Sequence, residues 1–315
     1  MKRIIPVVLI FIFLLTGCGA KEKNDKLQIV TTIFPIYDWT NNIVGEGSDA
    51  EVSLLLQSGS DMHSYEPTAD DILLIANADV FIYVGGESDA WVDDVLSNTA
   101  NESRVSINLL EALGDRGKAE EIVEGMESEE EEEEEEVLDE HIWLSARNAK
   151  CCVNAILDAL SKVNPSESSA YSDNATAYNK LLDDIDKSFE EVTEKVYEGT
   201  LLFGDRFPFR YFTEDYGLTY YAPFPGCSAE SEASFETLLF LTNKVNELEL
   251  HEIFVLENSD EKIARTIIDN CEVDNMDVYS LDSMQSITSE DIEAGVSYLE
   301  IMNSNLETFK KAFGE

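Results

Sequence analysis

Leu27-Gln28-Ile29-Val30-Thr31-Thr32, the helix-like stretch Pro35 to Val44, and then Val52-Ser53-Leu54-Leu55-Leu56 together decide the fold. The outer two runs are apolar and of strand length, and the middle one is long enough for a helix. The unit repeats downstream. Asp70 to Asn77 reads as helix, Asp79 to Val84 as a buried strand, Ser88 to Ser97 as helix and Val105 to Leu109 as a short strand. Strands alternating with helices of these lengths predict a parallel sheet covered on both faces.

Ser145 to Val163 has a helical pattern that Asn164-Pro165 ends. Beyond it, Tyr171, Ala175, Tyr178, Leu182, Ile185, Phe189, Val192 and Val196 recur at three- or four-residue intervals, one apolar stripe along a long helix that Gly199 ends. The second half then repeats the first. Strands are predicted at Thr200–Phe203, Leu218–Ala222, Glu252–Leu256 and Asp277–Leu281, and helices near Phe207–Asp215, Ser234–Leu248, Asp260–Asn270 and Ser289–Phe313. The expected fold class is α/β, two parallel-sheet lobes joined by one long helix. The lobes are placed at residues 27–164 and 200–315 and the linking helix at 165–199.

Upstream, Lys2 and Arg3 precede an apolar run from Ile4 to Leu15, closed by Leu15-Thr16-Gly17-Cys18. The run is shorter than the roughly 20 residues that span a bilayer, and with a small-residue cleavage site it describes a secretory signal over residues 1–17. Its ending resembles the bacterial lipobox, which implies lipidation of Cys18, a polar tether over 18–26 and an extracytoplasmic, membrane-anchored protein. The formal net charge of -44, from 65 acidic against 21 basic residues, argues against nucleic-acid binding and is compatible with a cationic ligand. Eight consecutive glutamates, Glu129 to Glu136, lie in a tract without Lys or Arg, and a disordered acidic loop is expected over 119–138. That loop is either a solvated segment or a collector of cations. Cys227 and Cys271 are read as free thiols, with a disulfide between them as the alternative.

The chain holds only three histidines. His63 follows the second predicted strand, and His141 lies between the acidic tract and a helix, both on loops at the carboxyl edge of the first sheet, where α/β folds bind ligands. Neutral imidazole is a common metal ligand; a hydrogen-bonded loop histidine is the plainer alternative for each. His251 begins a strand at the opposite end and is assigned to the surface. Phosphate-cradling glycine loops, a Gly-x-Ser-x-Gly elbow and a His-Glu-x-x-His pair are absent, so an enzyme is not expected.

Phe34-Pro35-Ile36-Tyr37-Asp38, His63-Ser64-Tyr65-Glu66-Pro67, Asp139-Glu140-His141-Ile142-Trp143-Leu144 and Asp215-Tyr216-Gly217-Leu218 together resemble the metal-binding receptors of zinc and manganese ABC transporters. The resemblance is to the zinc-receptor branch and covers nearly the whole chain after Cys18. It implies the metal-receptor type of periplasmic-binding-protein fold, two α/β lobes on a rigid helix, and His63 and His141 as the first lobe's ligands. The family's usual third histidine falls on Arg206, whose guanidinium offers no lone pair. Asp282 resembles the family's late carboxylate ligand, and Asp205 and Glu257, at strand ends, are further carboxylate candidates for ligand or supporting roles. Cys227 also sits at the crevice edge, where a thiolate could bind zinc strongly, though nothing in its spacing demands that role. The expected function is capture of a divalent ion, zinc ahead of manganese, by a monomeric receptor that delivers it to a membrane permease. Metal capture is expected to weaken as pH falls through about 6.5, where free histidine protonates. A surface adhesion or scaffold protein of the same fold is the rival that Arg206 motivates, and a metal-dependent hydrolase is a third possibility.

Overall fold

The computed structural model describes residues 26–57, 59, 62–99, 101–127, 137–196, 199–228 and 232–314. The signal at 1–17, Cys18 and the Glu129–Glu136 run lie outside the described residues. In the first half, β1 (Leu27–Thr31), α1 (Phe34–Val44), β2 (Ala50–Leu54), α2 (Ala69–Asn77), β3 (Val80–Tyr83), α3 (Trp91–Asn98), β4 (Val105–Asn108) and α4 (Leu109–Ala112) follow in order. The four strands are parallel in the order β2-β1-β3-β4. Thr68 and Asp71 close a reciprocal cap on α2, each side chain taking the other's backbone N–H, which fixes where that helix starts.

Next come α5 (Ala146–Val163) and α6 (Ser168–Thr193). The predicted stripe is the buried face of α6: Tyr171, Ala175, Tyr178, Leu182, Ile185, Phe189 and Val192 are each at most 4% exposed. The helix stops at Thr193, short of the expected Gly199.

The second half contains β5 (Thr200–Leu202), β6 (Arg206–Phe207), α7 (Arg210–Tyr216), β7 (Thr219–Tyr221), β8 (Phe224–Pro225), α8 (Phe235–Leu248), β9 (Glu252–Leu256), α9 (Lys262–Asn270), β10 (Asp277–Leu281), α10 (Ser289–Glu293) and α11 (Tyr298–Ala312). β5 pairs with β7 and β9 with β10, all parallel, and a single parallel bridge from Phe203 to Phe254 joins the pairs. The resulting order, second-first-third-fourth, is that of the first sheet. The two lobes thus share one topology as well as one pattern of elements. Phe189, Phe212, Phe254 and Phe309 carry the core across from α6, with ring centroids 5.1 Å apart for Phe189–Phe212 and Phe212–Phe309 and 5.3 Å for Phe254–Phe309.

Two expectations need correction. Ser289–Phe313 is two helices, because Ala294-Gly295 turns the chain and Ser297 starts α11 with its own reciprocal cap to Glu300. The acidic loop is not structureless throughout 119–138. Ala119 bridges antiparallel to Leu138, Glu120 N donates to the Val137 carbonyl and Glu127 N to the Pro223 carbonyl, so the described flanks are held on the body. Cys227 and Cys271 are free thiols.

Asp38 on α1 accepts a hydrogen bond from the Tyr178 hydroxyl of α6 at 2.9 Å. Burial pushes its carboxyl up to about 6, with nearby Glu300 adding to the shift, against the hydrogen bonds from Tyr178 and the Tyr298 backbone. The unfolded value is lower, about 3.9, so the folded chain holds the proton more tightly and stability falls as pH rises through that window. Asp38→Asn keeps an acceptor for Tyr178 and is expected to remove about 2 kcal/mol of pH dependence between pH ~4 and ~6. Urea melts across that range check it; a pH profile superimposable on wild type would count against an ionising Asp38.

Candidate metal centre

His63 lies in a single 3-10 turn, Met62–Ser64, that buried Met62 pins beyond β2. Its Nδ1 is 2.7 Å from Ser88 Oγ and 3.6 Å from Glu140 Oε2. Ser88 gives Glu140 its backbone N–H at 2.7 Å. Gly86 makes room for this cluster: at φ +85°, a Cβ there would lie 2.4 Å from Glu140 Oε1. Burial raises the Glu140 carboxyl above its ordinary value, although hydrogen bonding from Ser88 opposes it.

His141 is fully buried at the start of the Ile142–Leu144 turn. Asp139 Oδ1 accepts its backbone N–H at 2.8 Å and faces its Nδ1 at 3.1 Å. A buried carboxylate beside Nδ1 selects the tautomer that carries its proton there. With its proton held on Nδ1 by Asp139, His141 turns a bare Nε2 lone pair toward His63 Nε2. The two Nε2 atoms are 3.3 Å apart. A proton on one ring, or a cation between the two, holds nitrogens at that distance. Two nitrogens each ~2.05 Å from a tetrahedral zinc ion stand ~3.3 Å apart, so the pair fits such an ion.

The second lobe reaches the pair through a short parallel ladder, Arg206 opposite Phe224 and Phe207 opposite Pro225. The chain then turns at Gly226. A Cβ there would lie 2.8 Å from His141 Cε1 and 3.0 Å from the Phe207 carbonyl, so only glycine lets the turn close on the imidazole. His63, His141 and Cys227 each offer a donor atom, and these atoms all lie within 4.8 Å of one another. The Glu120 carboxyl stands beside Cys227. Burial, and after it the negative field of Glu120, Glu140 and Asp139, raises the thiol above its ordinary value.

The carboxylates singled out from the sequence are outside that group of three. Asp282 Oδ1 accepts from Met284 N at 2.7 Å, and burial, with Glu257 adding, pushes the Asp282 carboxyl up to about 6. Glu257 accepts from Ser283 N, Ser283 Oγ and Ser286 Oγ. Asp205 accepts the Arg206 backbone N–H, and Arg206 donates through Nη2 to Gln285 Oε1 at 3.2 Å. Asp205, Arg206, Cys227 and Glu257 share with His63 the lining of a cleft of about 750 Å³ between the lobes. His251 is exposed, as expected. The sequence reading assigned no role to Ser88 or Glu120, and none separately to Asp139 or Glu140. For Asp139, an acid two residues before a candidate histidine was the available signal. Asp139→Asn, which keeps the shape and weakens the grip on Nδ1, is expected to lower zinc affinity about 10- to 100-fold in a chelator competition titration. Unchanged affinity would remove Asp139 from the site.

Residues 29–312 match the family described as zinc-uptake complex component A, periplasmic. The chain is similar to the zinc-binding lipoprotein AdcA of Streptococcus pneumoniae, 32% identical over 304 residues that cover 95% of this chain and 58% of that protein. It therefore spans little more than half the length of that relative. It is also similar to the high-affinity zinc uptake system protein ZnuA of Bacillus subtilis, 29% identical over 310 residues, covering 94% of this chain and 93% of that one. Among solved structures, the Zn(II)-bound ZnuA-like domain of S. pneumoniae AdcA matches with a TM-score of 0.72 at 30% identity, covering 92% of this chain and 100% of that domain.

Proposed function

The chain belongs to the family of periplasmic zinc-uptake components, and from that membership we propose that it captures zinc(II) between its lobes and hands it to an ABC permease. The observation that carries this reading is the pair of Nε2 atoms, 3.3 Å apart, with an Asp139 oxygen at His141 Nδ1 and the Cys227 sulfur close by. Asp139 and Glu140, both nearly fully buried, add negative charge beside the pair and favour a cation there. His63 and His141 are the first-lobe ligands in this reading. Among the second lobe's carboxylates, Asp282 is the sequence-based candidate, while Asp205, Glu257 and Arg206 shape the cleft. The receptor works as a monomer and performs no catalysis.

Anchoring through a lipidated Cys18 is part of the same proposal. It is supported by the Leu15-Thr16-Gly17-Cys18 string and by the lipoprotein description of the pneumococcal relative. No helix among the described residues is long and apolar enough to cross a membrane. Calorimetric titration of the metal-stripped full chain with zinc chloride tests the central step. One equivalent bound with micromolar or tighter affinity is expected; no detectable heat, together with no zinc retained on dialysis, would sink the receptor reading.

A further inference from the structure

We propose that Cys227 is the second lobe's metal ligand, so that the site is a His-His-thiolate centre built for thiophilic cations such as zinc and cadmium and poor for manganese. This rests on the metal-receptor reading above and adds to it the donor that sets selectivity.

Arg206 cannot fill the place of a third nitrogen, since a guanidinium has no lone pair to give. The strand beside it supplies the substitute. Arg206 pairs with Phe224, and three residues further along that neighbouring strand the chain reaches Cys227. The approach is built into the backbone: Gly226 packs so closely on His141 that any side chain there would strike the ring or the Phe207 carbonyl. The sulfur thereby comes within 4.8 Å of both histidine nitrogens. Zinc–nitrogen and zinc–sulfur bonds of ~2.05 and ~2.3 Å set a tetrahedral N···S separation of ~3.6 Å, inside the reach of that group. Asp282, Glu257 and Asp205 lie outside that group of three donors.

On coordination the sulfur donates a lone pair to the metal and the S–H proton leaves to solvent. A soft thiolate strengthens the site for zinc and cadmium and does little for manganese, which prefers carboxylate and water oxygens. Selectivity against manganese then resides in one side chain.

Cobalt(II) titration of the full chain reads the ligand directly. The wild-type complex is expected to show a near-ultraviolet thiolate-to-cobalt charge-transfer band, and Cys227→Ser to lose it while keeping visible d–d bands. In competition titrations Cys227→Ser is expected to bind zinc at least ~100-fold more weakly, with manganese affinity changed less than about threefold. A wild-type cobalt complex without the band, a band that survives Cys227→Ser, or a zinc-to-manganese ratio unmoved by the substitution would each overturn the proposal while leaving the receptor reading intact. The wild-type spectrum needs no variant, so a folding defect in Cys227→Ser cannot shelter the idea. Failure of the wild-type chain to bind either zinc or cobalt would instead overturn both readings.

Discussion

Replacing His141 by alanine is expected to lower zinc affinity at least ~100-fold, because one of the two converging nitrogens is lost and the remaining donors cannot close a tetrahedral shell. His141 is the more informative of the two histidines. It is fully buried and held through both its backbone and its ring by the same Asp139 oxygen. In His141→Ala the backbone N–H remains, so Asp139 keeps one partner and the metal-free fold loses only about 1–3 kcal/mol. Affinity and stability therefore separate, and measuring both by calorimetry and urea melts distinguishes a ligand from a packing residue. His63→Ala, at a more open position against Ser88, is expected to cost a similar factor in affinity with a smaller loss of stability. If both variants bound zinc as tightly as wild type, the convergence of the two rings would have to be explained without a metal.

The sequence made the frame legible and left the closing of the site obscure, for physical reasons. Period and length identify an element when it is several residues long, so the stripe on α6 and the runs that became β9 and β10 read correctly to within a few residues. The ladder of β6 and β8 is two residues on each side, too short for any periodicity, and it is the ladder that delivers Cys227. The break between α10 and α11 is a turn of small residues inside an otherwise helical pattern, where local turn and cap chemistry outweighed the apolar spacing. For the site itself, His63 and His141 could be chosen because histidine is scarce in this chain. Asp282 could not be sorted from Glu257 or Asp205 in that way, since 65 acidic residues make any single carboxylate uninformative. Cys227 stood at the crevice edge in the sequence, but its nearness to the histidines rests on Gly226 pressed against an imidazole, a contact between residues 85 positions apart in the chain.

The same histidine turn carries the largest expected effect on stability. Trp143, two residues after His141, is 1% exposed, and its indole Nε1 donates to the Ser283 carbonyl of the second lobe at 2.8 Å. Its own carbonyl accepts from the Tyr298 hydroxyl at 2.7 Å, so this one residue ties the turn to the Asp282-Ser283-Met284 corner and to α11. Trp143→Ala deletes a large buried side chain and leaves the Ser283 carbonyl without its donor, and the combined cost is expected to be about 4 kcal/mol or more. Trp143→Phe keeps most of the buried area and loses mainly the indole hydrogen bond, so about 1–2 kcal/mol is expected. Urea midpoints of the metal-free proteins order the three chains; a Trp143→Ala loss below ~1 kcal/mol would show that the turn is not held this way. The ring also stands 5.3 Å from that of His141, so its removal loosens a ligand as well as a core. Zinc stabilises a folded chain in proportion to the logarithm of its concentration over the dissociation constant. Saturating zinc should therefore rescue Trp143→Phe nearly as far as wild type and Trp143→Ala much less, because only the phenylalanine variant keeps His141 seated for the ion.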